Sequence, residues 1–211
     1  MTRVLALNSS IFGDGGQSAA LLNTFLEALA EATDVQVTRR DLGTNPVPHL
    51  DAATFAAFGT AEDERSPEQQ ALVALSDELV AELKAADLRV IGMPMYNFGA
   101  PSGFKAWIDH IARAGVTFQY TSEGVKGLTG IQGAVVLGAR GGSYEGTPQD
   151  SQLPWLKTML GFLGLADVDV VLAEGLARSA TRDTALGAAQ ERARTLAQEV
   201  ARRGAGGESG A

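Results

Sequence analysis

A loop of serines, glycines and a glutamine follows the first apolar run of the chain. The apolar run covers residues 4–7, the loop covers residues 9–18, and a helical pattern begins directly afterwards. Hydroxyl groups and free backbone N–H groups at a helix start bind phosphate without lysine, because the helix dipole supplies positive potential. Gly15 and Gly16 let the backbone approach a ligand closely. The loop is therefore either a phosphate site or a helix cap on a flexible turn.

Two further loops contain residue types that suit a flat ligand. Residues 95–98 read Met-Tyr-Asn-Phe. Their apolar and aromatic side chains could pack against a flat heterocycle, and Asn97 could form hydrogen bonds with the polar edge of that ring. Alternatively, the aromatic rings could simply fill the core. Residues 139–142 read Ala-Arg-Gly-Gly, and the paired glycines permit close backbone approach. We expect the side chain of Arg140 itself to form a surface ion pair.

The elements between these loops alternate between short apolar runs and amphipathic helical patterns. Five runs are predicted to be strands: residues 4–7, 35–38, 88–92, 134–137 and 169–172. Their lack of polar alternation is typical of strands that are buried on both faces. The pattern predicts an α/β fold in three layers, a five-stranded parallel sheet with helices on both faces.

The number of strands and the loop-rich first turn favour a flavodoxin-like strand order. That order is 2-1-3-4-5, and it places a ligand beyond the carboxyl ends of strands 1, 3 and 4. All three loops leave these strand ends. The first loop could bind a phosphate group, the second could pack aromatic side chains against a flat ring, and the glycines of the third could approach the edge of that ring. FMN has a phosphate group and a flat ring, so these loops together suit FMN.

Length and composition indicate one globular domain. The chain has 211 residues, of which 45% are hydrophobic, and this is ordinary for a protein that forms a core. We expect the domain to cover residues 1–203, with an insertion at 43–65, and the glycine-rich stretch 204–211 to be a flexible tail. No apolar stretch reaches the ~18 residues that a membrane span requires. We therefore expect a cytoplasmic protein with no membrane partner.

Charge and residue counts argue against several other functions. The 25 acidic and 17 basic residues give a net charge of −8, which repels phosphate backbones and argues against nucleic acid as a partner. With no cysteine and two histidines, we expect no metal site. A phosphoacceptor receiver domain needs acidic residues where Asn8 stands, and a Gly-x-Ser-x-Gly hydrolase motif is missing.

We expect His110 to be exposed or to cap its helix, and not to donate a proton.

Several longer motifs occur in a fixed order along residues 4–175. They include residues 95–98, the highly specific run Ala-Arg-Ala-Gly-Val-Thr-Phe at 112–118, and Ala-Glu-Gly at 173–175. In this respect the chain resembles the FMN-dependent NADH:quinone oxidoreductases known as azoreductases. The resemblance implies an FMN site formed by Ser10, Gly16, Gln17, Ser18, Met95, Tyr96, Asn97, Phe98, Ala139, Arg140, Gly141 and Gly142.

Two of these positions depart from the family pattern. Gly16 and Ala139 stand where a serine is common in the family. Each change removes one side-chain hydrogen bond worth ~0.5–1.5 kcal/mol, so we expect weaker binding of FMN but not its loss.

The resemblance also implies a reaction and a quaternary structure. NADH or NADPH gives a hydride to FMN, and a quinone or an aromatic azo compound then takes it in a ping-pong cycle without a catalytic side chain. Family members are homodimers, which implies an acceptor pocket of Phe98 with Tyr120 and Phe162 near the partner's flavin. For Phe162, simple core packing stays open. The alternative function is a flavodoxin-like FMN electron carrier without an organic substrate of its own.

Overall fold

A computed structural model describes residues 1–130 and 133–207 of the protein, and its centre is a parallel sheet. The strands are β1 (Thr2–Asn8), β2 (Val35–Asp41), β3 (Leu88–Pro94), β4 (Phe118–Thr121), β5 (Gly124–Gly127), β6 (Gly133–Ala139) and β7 (Asp167–Ala173). Five of them form the sheet in the order β2-β1-β3-β6-β7, and every neighbouring pair in it is parallel. The predicted α/β fold with a five-stranded parallel sheet is confirmed.

The strand numbering differs from the predicted 2-1-3-4-5 because the chain also contains a short hairpin, which the apolar pattern does not indicate. Strands β4 and β5 form a separate antiparallel pair, joined by a two-residue turn between Thr121 and Gly124. Each of these strands has only four residues, which is too short for the alternation of apolar and polar residues to be recognised.

Within the part of the chain that the structure describes, six α-helices accompany the strands. They are α1 (Gln17–Ala32), α2 (Ala52–Gly59), α3 (Pro67–Ala85), α4 (Ser102–Ile111), α5 (Gln152–Phe162) and α6 (Ser179–Gly207). Helix α3 begins with a capping box, because Ser66 and Gln69 each bind the other's backbone N–H group. The insertion at 43–65 contains α2. The expected tail, 204–211, overlaps the end of α6, and its residues 208–211 lie outside the described residues.

Alternate strand residues build two cores, one on each face of the sheet. Leu5 and Leu7 pack into a core with residues of α3, α4 and α5. Val4 and Ala6 point the opposite way and pack with residues of α1 and α6. This alternation follows from the two-residue period of a strand. Across residues 1–130 and 133–207, no helix is both long and apolar enough to cross a membrane.

The insertion buries His110, which we expected to be exposed or to cap its helix. That prediction is wrong, because the side chain is only 2% exposed. Its Nε2 lies 3.1 Å from the carbonyl oxygen of Pro48, so Nε2–H donates to that oxygen. The ring also packs edge-on against Phe58. Burial lowers the pKa of His110. The helical pattern alone could not show that a segment far away in sequence covers this face of α4.

Candidate functional site

A cleft of about 260 Å³ opens at the carboxyl edge of the sheet. Strand register brings the ends of β1, β3 and β6 together, because Asn8 pairs with Gly92 and Pro94 pairs with Ala139. The cleft is lined by Ser10, Phe12, Gly16, Gln17, Pro94, Met95, Tyr96, Ala139, Arg140, Gly141, Leu176 and Ala177. Eight of these twelve residues belong to the set predicted from the sequence.

Four predicted residues do not line the cleft, and four lining residues were not predicted. Ser18 lies in the first turn of α1, Asn97 and Phe98 lie at the tip of the second loop, and Gly142 is the last residue of the third loop. Phe12 lies within the first loop, and Pro94 is the last residue of β3. Leu176 and Ala177 directly follow the Ala-Glu-Gly motif at 173–175, which is the sequence feature that could have identified them.

In the first loop, the side chain of Ser10 occupies the space that a side chain at position 16 would need. The Ser10 hydroxyl oxygen accepts a hydrogen bond from the N–H of Phe12 at 3.2 Å, which leaves its own proton available to a ligand. A Cβ atom added to Gly16 would collide with both the Oγ and the Cβ of Ser10. Position 16 is therefore suited to glycine as long as Ser10 keeps this rotamer.

The first turn of α1 presents unsatisfied donors at the same place. Its N-cap residue, Gly16, provides no side-chain hydrogen bond, and the first N–H groups of a helix have no partner within that helix. The hydroxyl of Ser18 is fully buried and has no hydrogen-bond partner within the described part of the chain. The segment 9–18 contains no lysine or arginine. A phosphate group would therefore be bound by hydroxyls, N–H groups and the helix dipole.

The second loop is a tight turn with a strained backbone. Asn97 and Phe98 have φ angles of 49° and 65°. Asparagine adopts this left-handed conformation readily, but for Phe98 it costs roughly 1–2 kcal/mol. Tyr96 and Gly99 exchange two backbone hydrogen bonds of 3.1 and 2.9 Å across the turn. The Tyr96 hydroxyl accepts a hydrogen bond from the N–H of Ile11 at 3.3 Å. This contact joins the second loop to the first.

The third loop is anchored by a buried ion pair. Arg140 is 1% exposed, and it donates to both carboxylate oxygens of Asp150 at 2.9 and 3.0 Å and to Glu174 at 3.1 Å. The predicted surface location of this pair is therefore wrong. Asp150 lies 10 residues and Glu174 lies 34 residues from the arginine in sequence. Glu174 also accepts from the N–H groups of Tyr144 and Glu145.

A second hollow of about 430 Å³ lies on the other side of the turn at 96–99. It is lined by Phe98, Gly99, Ala100, Lys105, Ser151, Gln152 and Trp155. Of the three predicted acceptor-pocket residues, only Phe98 lines it. Tyr120 and Phe162 both pack against Phe118, at centroid distances of 5.5 and 4.4 Å. Neither residue lines the cleft or the hollow.

Comparison with known proteins places this geometry in a family. A family model described as a flavodoxin-like fold matches residues 2–197. An FMN-dependent NADH:quinone oxidoreductase of Alcanivorax borkumensis is 51% identical over 174 residues, which cover 82% of this chain and 88% of the relative. A protein of the same name from Burkholderia pseudomallei is 53% identical over 178 residues, which cover 84% of this chain and 90% of the relative.

Solved structures agree with the sequence relatives. An azoreductase from Bacillus anthracis has a TM-score of 0.86 and 28% identity, and the match covers 94% of this chain and 100% of that one. An FMN-dependent NADH-azoreductase from the same species, solved in complex with FMN, has a TM-score of 0.85 and 27% identity. That match covers 94% of this chain and 99% of the other.

Proposed function

This chain belongs to the flavodoxin-like family that includes the FMN-dependent NADH:quinone oxidoreductases, and we propose that it reduces quinones and aromatic azo compounds with NADH or NADPH as donor. The main support for this proposal is that three loops meet around one cleft. The start of α1, which has no side-chain cap, lies at one end of this cleft. FMN, when bound, accepts a hydride from the nicotinamide and passes two electrons to the acceptor.

The residues of the cleft fit the two ends of FMN. The phosphate would be held by the Ser10 hydroxyl and by the first turn of α1, where the buried hydroxyl of Ser18 has no other partner in the described structure. The flat ring would lie between the second and third loops, against Met95, Tyr96 and Gly141. Ala139 offers the ring only a methyl group, which supports weaker binding of FMN than in relatives with a serine there.

The remaining predicted residues support the site from around it. Asn97 and Phe98 shape the turn between the cleft and the hollow. Arg140 forms ion pairs with Asp150 and Glu174, and Gly142 accepts a backbone hydrogen bond from Gly175. The paired guanidinium is therefore a scaffold for the third loop and not a free cation for the phosphate.

The protein's part in the reaction is to position the reactants and exclude water. Among the described residues that line the cleft, none is an aspartate, glutamate, lysine or histidine. The apolar side chains of Pro94, Met95 and Leu176 keep water away from the region where the ring would lie. This scheme therefore assigns no lining side chain as an acid or base, and the reduced acceptor would take its proton from solvent outside the apolar part of the cleft.

Exposed apolar side chains near the cleft support a homodimer. Ile11 and Phe12 are 62% and 70% exposed, and Phe98 is 49% exposed. Side chains of this kind grouped around a cleft are typical of an interaction surface. In a dimer that covers them, the partner's Tyr120 and Phe162 would complete the acceptor pocket.

We propose a cytoplasmic location, where NADH is produced and consumed.

Steady-state turnover tests the proposed function directly. Purified protein with FMN, NADH and a water-soluble benzoquinone should oxidise NADH continuously, and omission of FMN or quinone should stop the reaction. A protein that binds FMN but needs a separate reductase to receive electrons would be the electron carrier instead. A protein that binds no FMN in a fluorescence titration would overturn both functions.

A pair of glycine variants tests the location of the site. Gly16→Ala places a methyl group against Ser10 and displaces the hydroxyl that faces the cleft, so we expect FMN affinity to fall about tenfold. Gly15→Ala is the matched control, because a Cβ atom there meets no atom within 4 Å. Equal FMN dissociation constants for the two variants would place the phosphate elsewhere.

A further inference from the structure

We infer that Gln152, assisted by Ser151, is a positioning residue for the proposed reaction, because its side-chain amide holds the turn at residues 96–99 in the conformation that faces FMN. The inference rests on the proposed function. It concerns a residue that lines the hollow behind the turn and not the cleft itself.

The side chain of Gln152 joins the two ends of the second loop. It is 3% exposed, and its Nε2 donates to the carbonyl oxygens of Pro94 at 2.9 Å and of Gly99 at 3.0 Å. Pro94 ends β3, and Gly99 closes the turn. The neighbouring Ser151 hydroxyl donates to the carbonyl oxygen of Phe98 at 2.6 Å. Three carbonyl groups of one loop are thus bound from the start of α5.

The turn needs such support because packing supplies little of it beyond an edge-on contact between the rings of Phe98 and Tyr144, at a centroid distance of 5.3 Å. Asn97 and Phe98 both have positive φ angles, a conformation that residues with side chains leave readily when nothing opposes it. Both residues are exposed. The hollow of about 430 Å³ behind the turn leaves room for Phe98 and Gly99 to move. The hydrogen bonds from α5 to Phe98 and Gly99 therefore oppose relaxation into that space.

The start of α5 is itself fixed to the third loop. Asp150 accepts a hydrogen bond from the N–H of Leu153 at 3.2 Å, and Arg140 holds both carboxylate oxygens of the same aspartate. A continuous path of hydrogen bonds therefore runs from Arg140 through Asp150 and α5 to the turn at 96–99. The bases of the second and third loops are joined directly, because the N–H of Met95 donates to the carbonyl oxygen of Ala139 at 3.0 Å. The path through α5 adds a second connection, from the third loop to the tip of the second.

The test replaces Gln152 with methionine, which has a similar length and suits a buried site but has no N–H donor. In FMN-free protein, exchange of the Tyr96 and Gly99 amide hydrogens should become about tenfold faster, because these two groups pair across the turn. In the loaded enzyme, kcat for the quinone should fall about tenfold or more, since a displaced wall misplaces the reactants. The visible absorption bands of bound FMN should shift as well.

Ser76→Ala is the matched control, because Ser76 is also buried and its hydroxyl also donates to a backbone carbonyl, that of His110. This variant should lose a similar amount of thermal stability but keep wild-type exchange at Tyr96 and Gly99 and wild-type kcat. If Gln152→Met does not fold, Ser151→Ala replaces it, since Ser151 is exposed and loses one bond to the turn. Ser151→Thr should then restore the wild-type exchange rates.

The outcomes separate the inference from the proposed function. Unchanged exchange at Tyr96 and Gly99 in the variant that folds would overturn the inference, even if the wild-type enzyme turns over. Faster exchange with unchanged kcat and spectrum would overturn it as well, because Gln152 would then be merely structural. If the wild-type protein does not oxidise NADH with FMN and quinone, the proposed function is overturned, whatever the amide exchange rates are. The role of Gln152 in that reaction is then overturned as well.

Discussion

Arg89 and Arg140 are equally buried, at 1% exposure, but they lie at opposite ends of the central sheet. Arg89 is at the amino end of β3, and it donates to the carbonyl oxygens of Leu83 and Ala86 at the end of α3. Its Nε and Nη1 atoms have no partner in the described structure. Arg140 follows the carboxyl end of β6 and meets two carboxylates.

The difference shows two ways in which a buried guanidinium can be used. At the amino end, Arg89 satisfies carbonyl groups at a helix C-terminus, where the helix dipole favours a cation. Burial without a close carboxylate partner lowers the pKa of Arg89. At the carboxyl end, Arg140 joins three segments that surround the cleft. We expect substitutions at the amino end to change stability alone, and those at the carboxyl end to change stability and FMN binding together.

Arg140→Met should have the largest effect of the substitutions that test this comparison. It leaves Asp150 and Glu174 without their cation, at 7% and 18% side-chain exposure. Loss of one partner from a buried ion pair costs about 3–5 kcal/mol. Urea denaturation should show a loss of this size, and FMN titration should show little binding. A loss below ~1 kcal/mol would contradict the scaffold role, whereas Arg140→Lys should retain part of the stability because it keeps the charge.

Arg89→Met should destabilise the protein less. It removes the hydrogen bonds to Leu83 and Ala86, but it also removes a charge whose burial is unfavourable. We expect a loss of about 1–3 kcal/mol in urea denaturation, the cost of leaving buried carbonyl groups unsatisfied. The FMN dissociation constant should equal that of the wild type. Weaker FMN binding in Arg89→Met would show that the two ends of the sheet are coupled and would break the comparison.

The parts of the fold that the sequence could predict are those set by local patterns. Apolar runs indicate the five strands of the sheet, and the Ser66–Gln69 pair marks the start of α3. The cleft loops follow from the same patterns, because parallel strands place their carboxyl ends at one edge of the sheet. Short-range spacing and residue type were sufficient for these features.

The parts that could not be predicted depend on contacts between distant segments. Gln152 lies 58 residues from Pro94 in sequence and 53 residues from Gly99. Pro48, which binds His110, is 62 residues away from it. A glutamine on a helix or a histidine beside an aspartate has no local feature that reveals such partners. The supporting side chains of the site therefore emerge only when the chain is folded.

Asp87→Asn should have the smallest effect, and it tests whether charge matters at the amino end. Asp87 accepts from the Arg3 guanidinium at 2.6 and 3.1 Å, and these hydrogen bonds help to lower its pKa from 3.8 to about 2. A carboxylate with a lowered pKa stabilises the fold above its ordinary pKa, and this contribution is lost as pH falls towards the folded-state value. The asparagine variant lacks the contribution at every pH.

The stability difference between wild type and Asp87→Asn should therefore be present at neutral pH and shrink between about pH 4 and pH 2. It should stay below ~1 kcal/mol, because 45% of the Asp87 side chain is exposed and water screens the pair. Urea denaturation of both proteins at neutral pH and near pH 3 measures it, since the other carboxylates titrate in both. A difference that is constant over this range would show that the contribution of Asp87 does not depend on its ionisation, and that the amino end depends on hydrogen bonds and not on charge.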